Sequence, residues 1–340
     1  MLVLAIESSC DETAAAVVKD GSIVLADVVA SQVADHADYG GVVPEIASRK
    51  HLEAIVPVIE MALYRAGVSL REIEGVAVTQ GPGLAGALLV GIATAKALAY
   101  VGKQPLVGVN HIEGHLLAIF LERRVAFPFI ALVVSGGHSH LYLVEGVGRY
   151  HTLGQTLDDA AGEAFDKVAK LIGLPYPGGA VIDRLAESGD PAAIRFPRPL
   201  LHDGSCNLSF SGLKTAVLTY LKKKPDALDG CGLNDLCASF QEAVCEVLVN
   251  KTAAAVATTG VKRVVVAGGV ACNKGLRHAM ERLARDLFLE LFFPSPALCT
   301  DNAAMIAVPG DFYLSRGINC SYELDALTVW RLDSLAERLR

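Results

Sequence analysis

Twice in this chain an apolar run of strand length stops at a short polar turn and returns as a second strand; a strand, a Gly-rich turn and a helix then follow. The first copy runs over Leu2–Glu7, turns through Ser8-Ser9-Cys10-Asp11-Glu12-Thr13 and returns over Ala14–Val18. It continues with Gly75–Thr79, the turn Gly81-Pro82-Gly83 and a helix over Leu84–Val101. The second copy has Phe129–Ser135, the turn Gly136-Gly137-His138 and a return over Leu141–Glu145, then Arg263–Ala267, Gly268-Gly269 and a helix over Asn273–Asp286. Ala5-Ile6-Glu7-Ser8 corresponds to Val133-Val134-Ser135-Gly136, and Thr79-Gln80-Gly81-Pro82-Gly83 to Ala267-Gly268-Gly269-Val270. A repeated mixed unit of this kind predicts an α/β protein of two similar lobes facing a cleft. The first lobe is expected over residues 1–125, completed by a C-terminal segment from about 305, and the second over 126–304.

Between these landmarks the reading is coarser. Ile23–Val29 continues the first hairpin past the Asp20-Gly21 turn. The stretch Ser31–Ser48 has no period and reads as a surface loop, with a helix from His51 to Ala66 after it. Leu106–Val109 is a short strand. Leu157–Lys167 reads as a helix with Asp158 and Asp159 in its first turn, where the helix dipole favours acids. Strand ends that run into Gly-rich turns can aim backbone N–H groups at a phosphate, although each taken alone is also an ordinary hairpin. Asp166 and Asp183 can accept hydrogen bonds from ribose hydroxyls or simply be charged helix surface. Ser209–Thr215 starts another helix, as a cap or as a ligand contact.

Asn110-His111-Ile112-Glu113-Gly114-His115-Leu116 carries the densest chemistry. His111 and His115 stand one turn apart on one helix face, a spacing that suits two imidazoles on one ion and equally two polar surface residues. A carboxylate is available in Cys299-Thr300-Asp301-Asn302, at an expected helix start. Two His and one carboxylate suit Fe(II) and permit Zn. A metallopeptidase needs its Glu directly after the first His. Glu113 is two residues on, roughly 200° around the helix, and points away from the imidazoles.

The chain has 340 residues, 52% hydrophobic, with 32 Gly, and a mean hydropathy of +0.40. That excludes a disordered chain and allows two sizeable cores. Leu84–Val101 is apolar enough to suggest a membrane span, but Lys96 and its small residues favour a buried helix. The N-terminus lacks a basic leader region, and eight cysteines without a C-x-x-C pair read as reduced thiols of a cytoplasmic protein. A net charge of −7 argues against a large nucleic-acid surface on this chain alone.

The paired hairpins resemble the superfamily of actin, the heat-shock chaperone ATPases and the sugar kinases. More narrowly, Glu7–Thr13, Tyr39–Glu45, Gly81–Leu84, His111–His115, Val134–His138, Asp158–Lys167, Ser209–Thr215, Ala267–Asn273 and Cys299–Asn302 together resemble the tRNA N6-adenosine threonylcarbamoyltransferase family, formerly called O-sialoglycoprotein endopeptidases. The resemblance covers nearly the whole chain, with the motifs in family order. It implies transfer of a threonylcarbamoyl group from threonylcarbamoyl-AMP to N6 of adenosine 37 in tRNAs that read codons beginning with adenine. It also implies His111, His115 and Asp301 as ligands of one divalent metal, Fe(2+) with Zn(2+) as the alternative. Val134, Ser135, Gly136, Gly137 and His138 then match the segment that binds substrate phosphate. Asp166, Gly179, Asp183 and Asn273 match nucleoside-binding positions, and Asp11 and Glu12 an acidic catalytic pair. The implied partners are a metal-free paralogue forming a heterodimer and a small P-loop ATPase, with no membrane. An ATPase or kinase of the same superfamily, and a metallopeptidase, are the rival readings. One departure from the family pattern is Pro309-Gly310, inside the helix expected after Asp301, where Pro removes a hydrogen bond and kinks the helix.

Overall fold

The computed structural model describes Met1–Leu339. In chain order the elements are β1 (Leu2–Glu7), β2 (Glu12–Lys19), β3 (Ile23–Ser31), α1 (Val33–His36), α2 (Pro44–Ala66), β4 (Gly75–Gly81), α3 (Ala85–Gly102), β5 (Leu106–Asn110) and α4 (His111–Leu117). They continue with β6 (Phe129–Val134), β7 (Ser139–Gly146), β8 (Arg149–Gln155), α5 (Ala161–Leu171), α6 (Gly178–Ala186), α7 (Ser211–Lys223) and α8 (Gly232–Thr259). Last come β9 (Arg263–Ala267), α9 (Lys274–Leu287), β10 (Glu290–Phe292), α10 (Pro296–Cys299) and α11 (Ala304–Leu314). Two compact units form. Unit 1 is Met1–Phe127 with Val144–His151 and Ala297–Arg340, and unit 2 is Pro128–Leu143 with Thr152–Pro296.

The repeat seen in the sequence is a repeat of topology. One sheet has the order β3-β2-β1-β4-β5 and the other β8-β7-β6-β9-β10 when read from its opposite edge. Each sheet therefore places the first strand of its copy at the centre, with the hairpin partners on one side and the later strands on the other. In the first sheet β1 runs antiparallel to β2 and parallel to β4. In the second, β6 runs parallel to β9.

The central strands are apolar, β1 as far as its closing Glu7, because both faces of the sheet are covered. Along β1, Leu4 and Ile6 pack with Ile55, Val58 and Ile59 of α2 and with Leu88, Ile92 and Ala95 of α3. Val3 and Ala5, on the opposite face, pack with Ala304, Met305, Ile306 and Ala307 of α11. The alternation is the period-two geometry of a strand. The apolar helix α3 is long enough to cross a membrane by length and composition, yet Ala87, Leu88, Val90, Ile92, Ala95 and Ala99 are buried in this core.

Two local expectations are corrected. The stretch after Ser31 is not one loop: α1 forms over Val33–His36, and α2 begins at Pro44, seven residues before His51. The signal was present, since Pro favours the first helical position and holds Val43 extended, as observed at φ −106°, ψ 112°. The acids Asp158 and Asp159 precede α5 rather than opening it. Asp158 instead caps α7, accepting from the N–H groups of Phe210 (2.8 Å) and Ser211 (3.3 Å) and from the hydroxyls of Ser209 (2.6 Å) and Ser211 (2.7 Å). Helix α11 holds Pro309 within its span, as expected. Its neighbour Gly310 lies against β4, where an added Cβ would come 2.5 Å from Cβ of Ala77. Gly310 thus lets the helix lie directly on the sheet.

Candidate active site

The metal-ligand candidates all lie in unit 1. The fully buried strand β5 ends in Asn110, whose Oδ1 accepts from the N–H groups of Ile112 (2.9 Å) and Glu113 (3.3 Å). Helix α4 therefore starts directly at His111. The imidazoles of His111 and His115 stand edge to face with ring centroids 4.7 Å apart. Both Nε2 atoms face Asp301 Oδ1, at 3.6 Å from His111 and 3.0 Å from His115. The three ligand atoms lie within 4.8 Å of one another. His111 is 4% exposed and His115 is not exposed at all, so the surface reading of the pair does not hold.

Asp301 stands before α11 rather than in it. Asn302 takes the capping role, accepting from Met305 N–H at 2.8 Å, which leaves the Asp301 carboxylate for the histidines. Glu113 is buried and accepts from the hydroxyls of Tyr150 (2.8 Å) and Tyr313 (2.7 Å) and from Gly148 N–H (3.2 Å). It holds α4 to α11 and to the β7–β8 turn.

Behind His111 lies a residue that sequence reasoning missed. Glu7, at the end of β1 and fully buried, accepts from Ser9 N–H (2.5 Å) and Thr79 Oγ1 (2.6 Å), and its Oε2 is 3.0 Å from His111 Nδ1. Burial would raise its carboxyl, but the adjacent imidazolium of His111 outweighs burial and holds it below the usual range. Burial likewise opposes a charge on His111, but Glu7 and Asp301 raise it to about 9. The only sequence signal was a Glu closing an otherwise apolar strand. Asp11 is buried in the β1–β2 turn beside Glu12. Burial, Asp301 and Asp11 push the Glu12 carboxyl up to about 9. His51 fixes the same turn, with Nε2 3.0 Å from the Cys10 carbonyl and Nδ1 2.8 Å from Thr13 Oγ1.

Two imidazole nitrogens and one carboxylate oxygen converging in a buried position fit a divalent transition ion. The pairing of Glu7 with His111 Nδ1 adds the outer carboxylate typical of metal-binding histidines.

In unit 2, β6 ends at Val134 and the turn closes through Ser135 N–H to the His138 carbonyl (2.8 Å) and His138 N–H to Ser135 Oγ (3.2 Å). Gly136 and Gly137 are exposed, and an added Cβ on either would meet nothing within 4 Å. Gly268, at φ +90°, passes so close to β6 that a Cβ would lie 2.4 Å from the Val134 carbonyl oxygen. The other candidates here act first as helix caps. Asp166 accepts from Gly178 N–H (2.7 Å) at the start of α6. Asp183 accepts from Lys274 N–H (3.1 Å and 3.2 Å), and Asn273 from Leu276 N–H (2.8 Å), at the start of α9. Gly179, the second residue of α6, has Phe165 Cβ 3.8 Å from an added Cβ. A chain of caps thus gathers the N-termini of α6 and α9 around Asp166, Asp183 and Asn273.

The family model for tRNA N6-adenosine threonylcarbamoyltransferase (TsaD) matches residues 23–308. The chain belongs to that family. A threonylcarbamoyltransferase of Geotalea uraniireducens is 74% identical over 339 residues, covering 100% of this chain and 99% of that protein. Among solved structures, component A of the (R)-2-hydroxyglutaryl-CoA dehydratase of Acidaminococcus fermentans superposes with a TM-score of 0.57 at 16% identity, over 93% of this chain and 99% of that one. The ROK hexokinase of Thermus thermophilus superposes with a TM-score of 0.51 at 16% identity, over 93% of this chain and 100% of that one. These two likenesses concern fold alone. This threonylcarbamoyltransferase family member shares with them a duplicated α/β fold.

Proposed function

We infer that this chain transfers the threonylcarbamoyl group from threonylcarbamoyl-AMP to N6 of adenosine 37 in tRNAs reading codons that begin with adenine, and releases AMP. The observation that carries the reading is the convergence of His111, His115 and Asp301 in a chain whose full length matches the Geotalea relative. In the reaction the carbamoyl carbon gains a bond to N6 and loses its bond to the phosphate oxygen of AMP, while the attacking amine gives up a proton. His111, His115 and Asp301 would hold one divalent ion, Fe(2+) in our reading, which when bound supplies Lewis acidity for a phosphate oxygen and a template for orientation. A kinase-type site would use carboxylates and water around Mg²⁺, which the two imidazoles disfavour. A peptidase is disfavoured because Glu113 is held by two tyrosines.

In unit 2 we assign Val134–His138 to phosphate. The turn's own hydrogen bonds use the N–H groups of Ser135 and His138. The N–H groups of Gly136 and Gly137 have no protein partner among the described residues, and are preorganised donors for the oxygen charge that develops on AMP. Asp166 and Asp183 retain carboxylate lone pairs beyond their capping bonds, and with Gly179 and Asn273 we assign them to the nucleoside. In unit 1, of the acidic pair Asp11 and Glu12, we assign the attacking amine's proton to Asp11, because the Glu12 carboxyl, pushed up to about 9, already holds one. The partners we assign are a metal-free paralogue in a heterodimer and a small P-loop ATPase, all in the cytoplasm.

The test is an anaerobic assay of purified, iron-loaded protein with threonylcarbamoyl-AMP and unmodified tRNA, with and without the two partners. The modified nucleoside and AMP should appear in equal amounts in the assembled system. Absence of the nucleoside from that complete system would refute the reading, and full activity with zinc alone would refute iron.

A further inference from the structure

We propose that Glu7 is a positioning residue: its carboxylate holds the Nδ1–H of His111, so that Nε2 is the nitrogen presented beside Asp301. This inference rests on the reading of His111, His115 and Asp301 as metal ligands, and adds to it a residue outside that trio.

A carboxylate at the end of the central strand of a sheet covered on both faces is a costly residue unless its oxygens are satisfied. Glu7 is fully buried, and its partners come from three directions: Ser9 N–H in its own turn, Thr79 Oγ1 on the adjacent strand β4, and His111 Nδ1 at the start of α4. The Ser9 N–H can only donate, and the Thr79 hydroxyl donates to the other carboxylate oxygen, which together orient the carboxylate plane. An acceptor oxygen 3.0 Å from Nδ1 keeps a proton on that nitrogen, so when the imidazolium gives up one proton it is the Nε2 proton that leaves, and Nε2 carries the lone pair. Ser9 Oγ, 3.1 Å from the same nitrogen, is the weaker acceptor of the two. Nε2 of His111 then faces Asp301 Oδ1 at 3.6 Å. His115 has no such support, because its Nδ1 is buried without a hydrogen-bond partner among the described residues. The tautomer and ring angle of the pair are therefore set at His111, by Glu7. Gln does not reproduce this: with its oxygen toward Ser9 N–H its N–H₂ faces His111 Nδ1 and favours the opposite tautomer, and in the other orientation the N–H₂ meets the Ser9 N–H.

The experiment measures Zn²⁺ affinity of the metal-free protein against a competing chelator, in the wild type and in Glu7→Gln, His111→Ala and Val78→Ala. Val78 is buried in the same core and makes none of the Glu7 bonds, so its variant reports a general loss of stability. Glu7→Gln should weaken zinc binding by about 10–100-fold, the usual effect of removing an outer partner of a ligand histidine, while Val78→Ala stays close to wild type. Nitrogen-15 spectra of histidine in zinc-loaded wild-type protein should show His111 protonated at Nδ1 and metal-bound at Nε2. This measurement stands even if Glu7→Gln does not fold. Metal on Nδ1 of His111, or a Glu7→Gln affinity equal to that of wild type or of Val78→Ala, overturns the positioning role. Full zinc stoichiometry in His111→Ala overturns instead the ligand reading on which it rests.

Discussion

Asp27 illustrates how burial alone turns a side chain into a pH-sensitive contact. It lies on β3 and accepts from Ala303 N–H at 3.3 Å, at the start of α11. Burial raises its carboxyl from 3.8 to about 6, against the lowering effect of the N–H groups of Ala303 and Ala304. The folded protein therefore holds this proton more tightly than the unfolded chain. The stabilising contribution is full below the unfolded value and is lost as pH rises through about 6. Above that pH the ionised form weakens the fold. Asp27→Asn keeps an acceptor oxygen and carries no charge. We expect it to be more stable than wild type by about 1–3 kcal/mol at pH 8, with the difference vanishing near pH 4. Thermal melts at the two pH values check this, and an equal difference at both would refute burial as the cause.

At the scale of elements, the two sheets meet their helices through glycines at close approaches. The sharpest case in unit 2 is Gly162, in the first turn of α5, where an added Cβ would lie 2.6 Å from the Ser135 carbonyl oxygen and 2.8 Å from Gly136 Cα. All the atoms it would meet are backbone of the proposed phosphate turn. Gly162→Ala must therefore displace either the helix or the turn, at a cost of about 1–3 kcal/mol typical of overpacking. We expect lower thermal stability and AMP affinity weakened by about tenfold or more, since a tenfold change corresponds to only about 1.4 kcal/mol. Calorimetry with AMP decides; unchanged affinity would show that the turn does not hold the nucleotide's phosphate.

For the whole molecule, the net charge of −7 has to be reconciled with a tRNA substrate. Non-specific affinity for nucleic acid comes chiefly from Lys and Arg displacing phosphate counterions. Arg49 and Lys50 stand side by side on α2; Lys50 is engaged by Asp35 at 3.1 Å and Glu53 at 3.4 Å, while Arg49 is exposed. The chain by itself is expected to bind tRNA weakly, and tight, salt-sensitive binding should appear only with its partners. Arg49→Glu should flatten the salt dependence by about one unit per lost phosphate contact, whereas Lys50→Glu should have the smaller effect. Titrations of labelled tRNA over a range of salt measure both. Equal affinity of the isolated chain and the complex at one salt concentration would refute the composite surface.

Resemblance to the family supplied Asp301 as the third member of the trio; the sequence by itself determined the repeated order of elements and the pair His111 and His115. Each is legible because it is either local or repeated: strand and helix periods are set by which face is buried, and an i, i+4 pair shares a face in any helix. The start of α2 at Pro44 is legible too, through the preference of proline for the first helical turn. What only the tertiary structure decided are partnerships across long separations. Glu7 meets Thr79 and His111 because β4 lies beside β1 and β5 beside β4. Asp158 caps a helix that begins at Ser211, and Asp183 one that begins at Lys274. No periodicity encodes such pairs. They follow from strand order and helix packing, so a carboxylate read as helix surface along the chain becomes a cap, a clamp or a ligand support once the sheets have assembled.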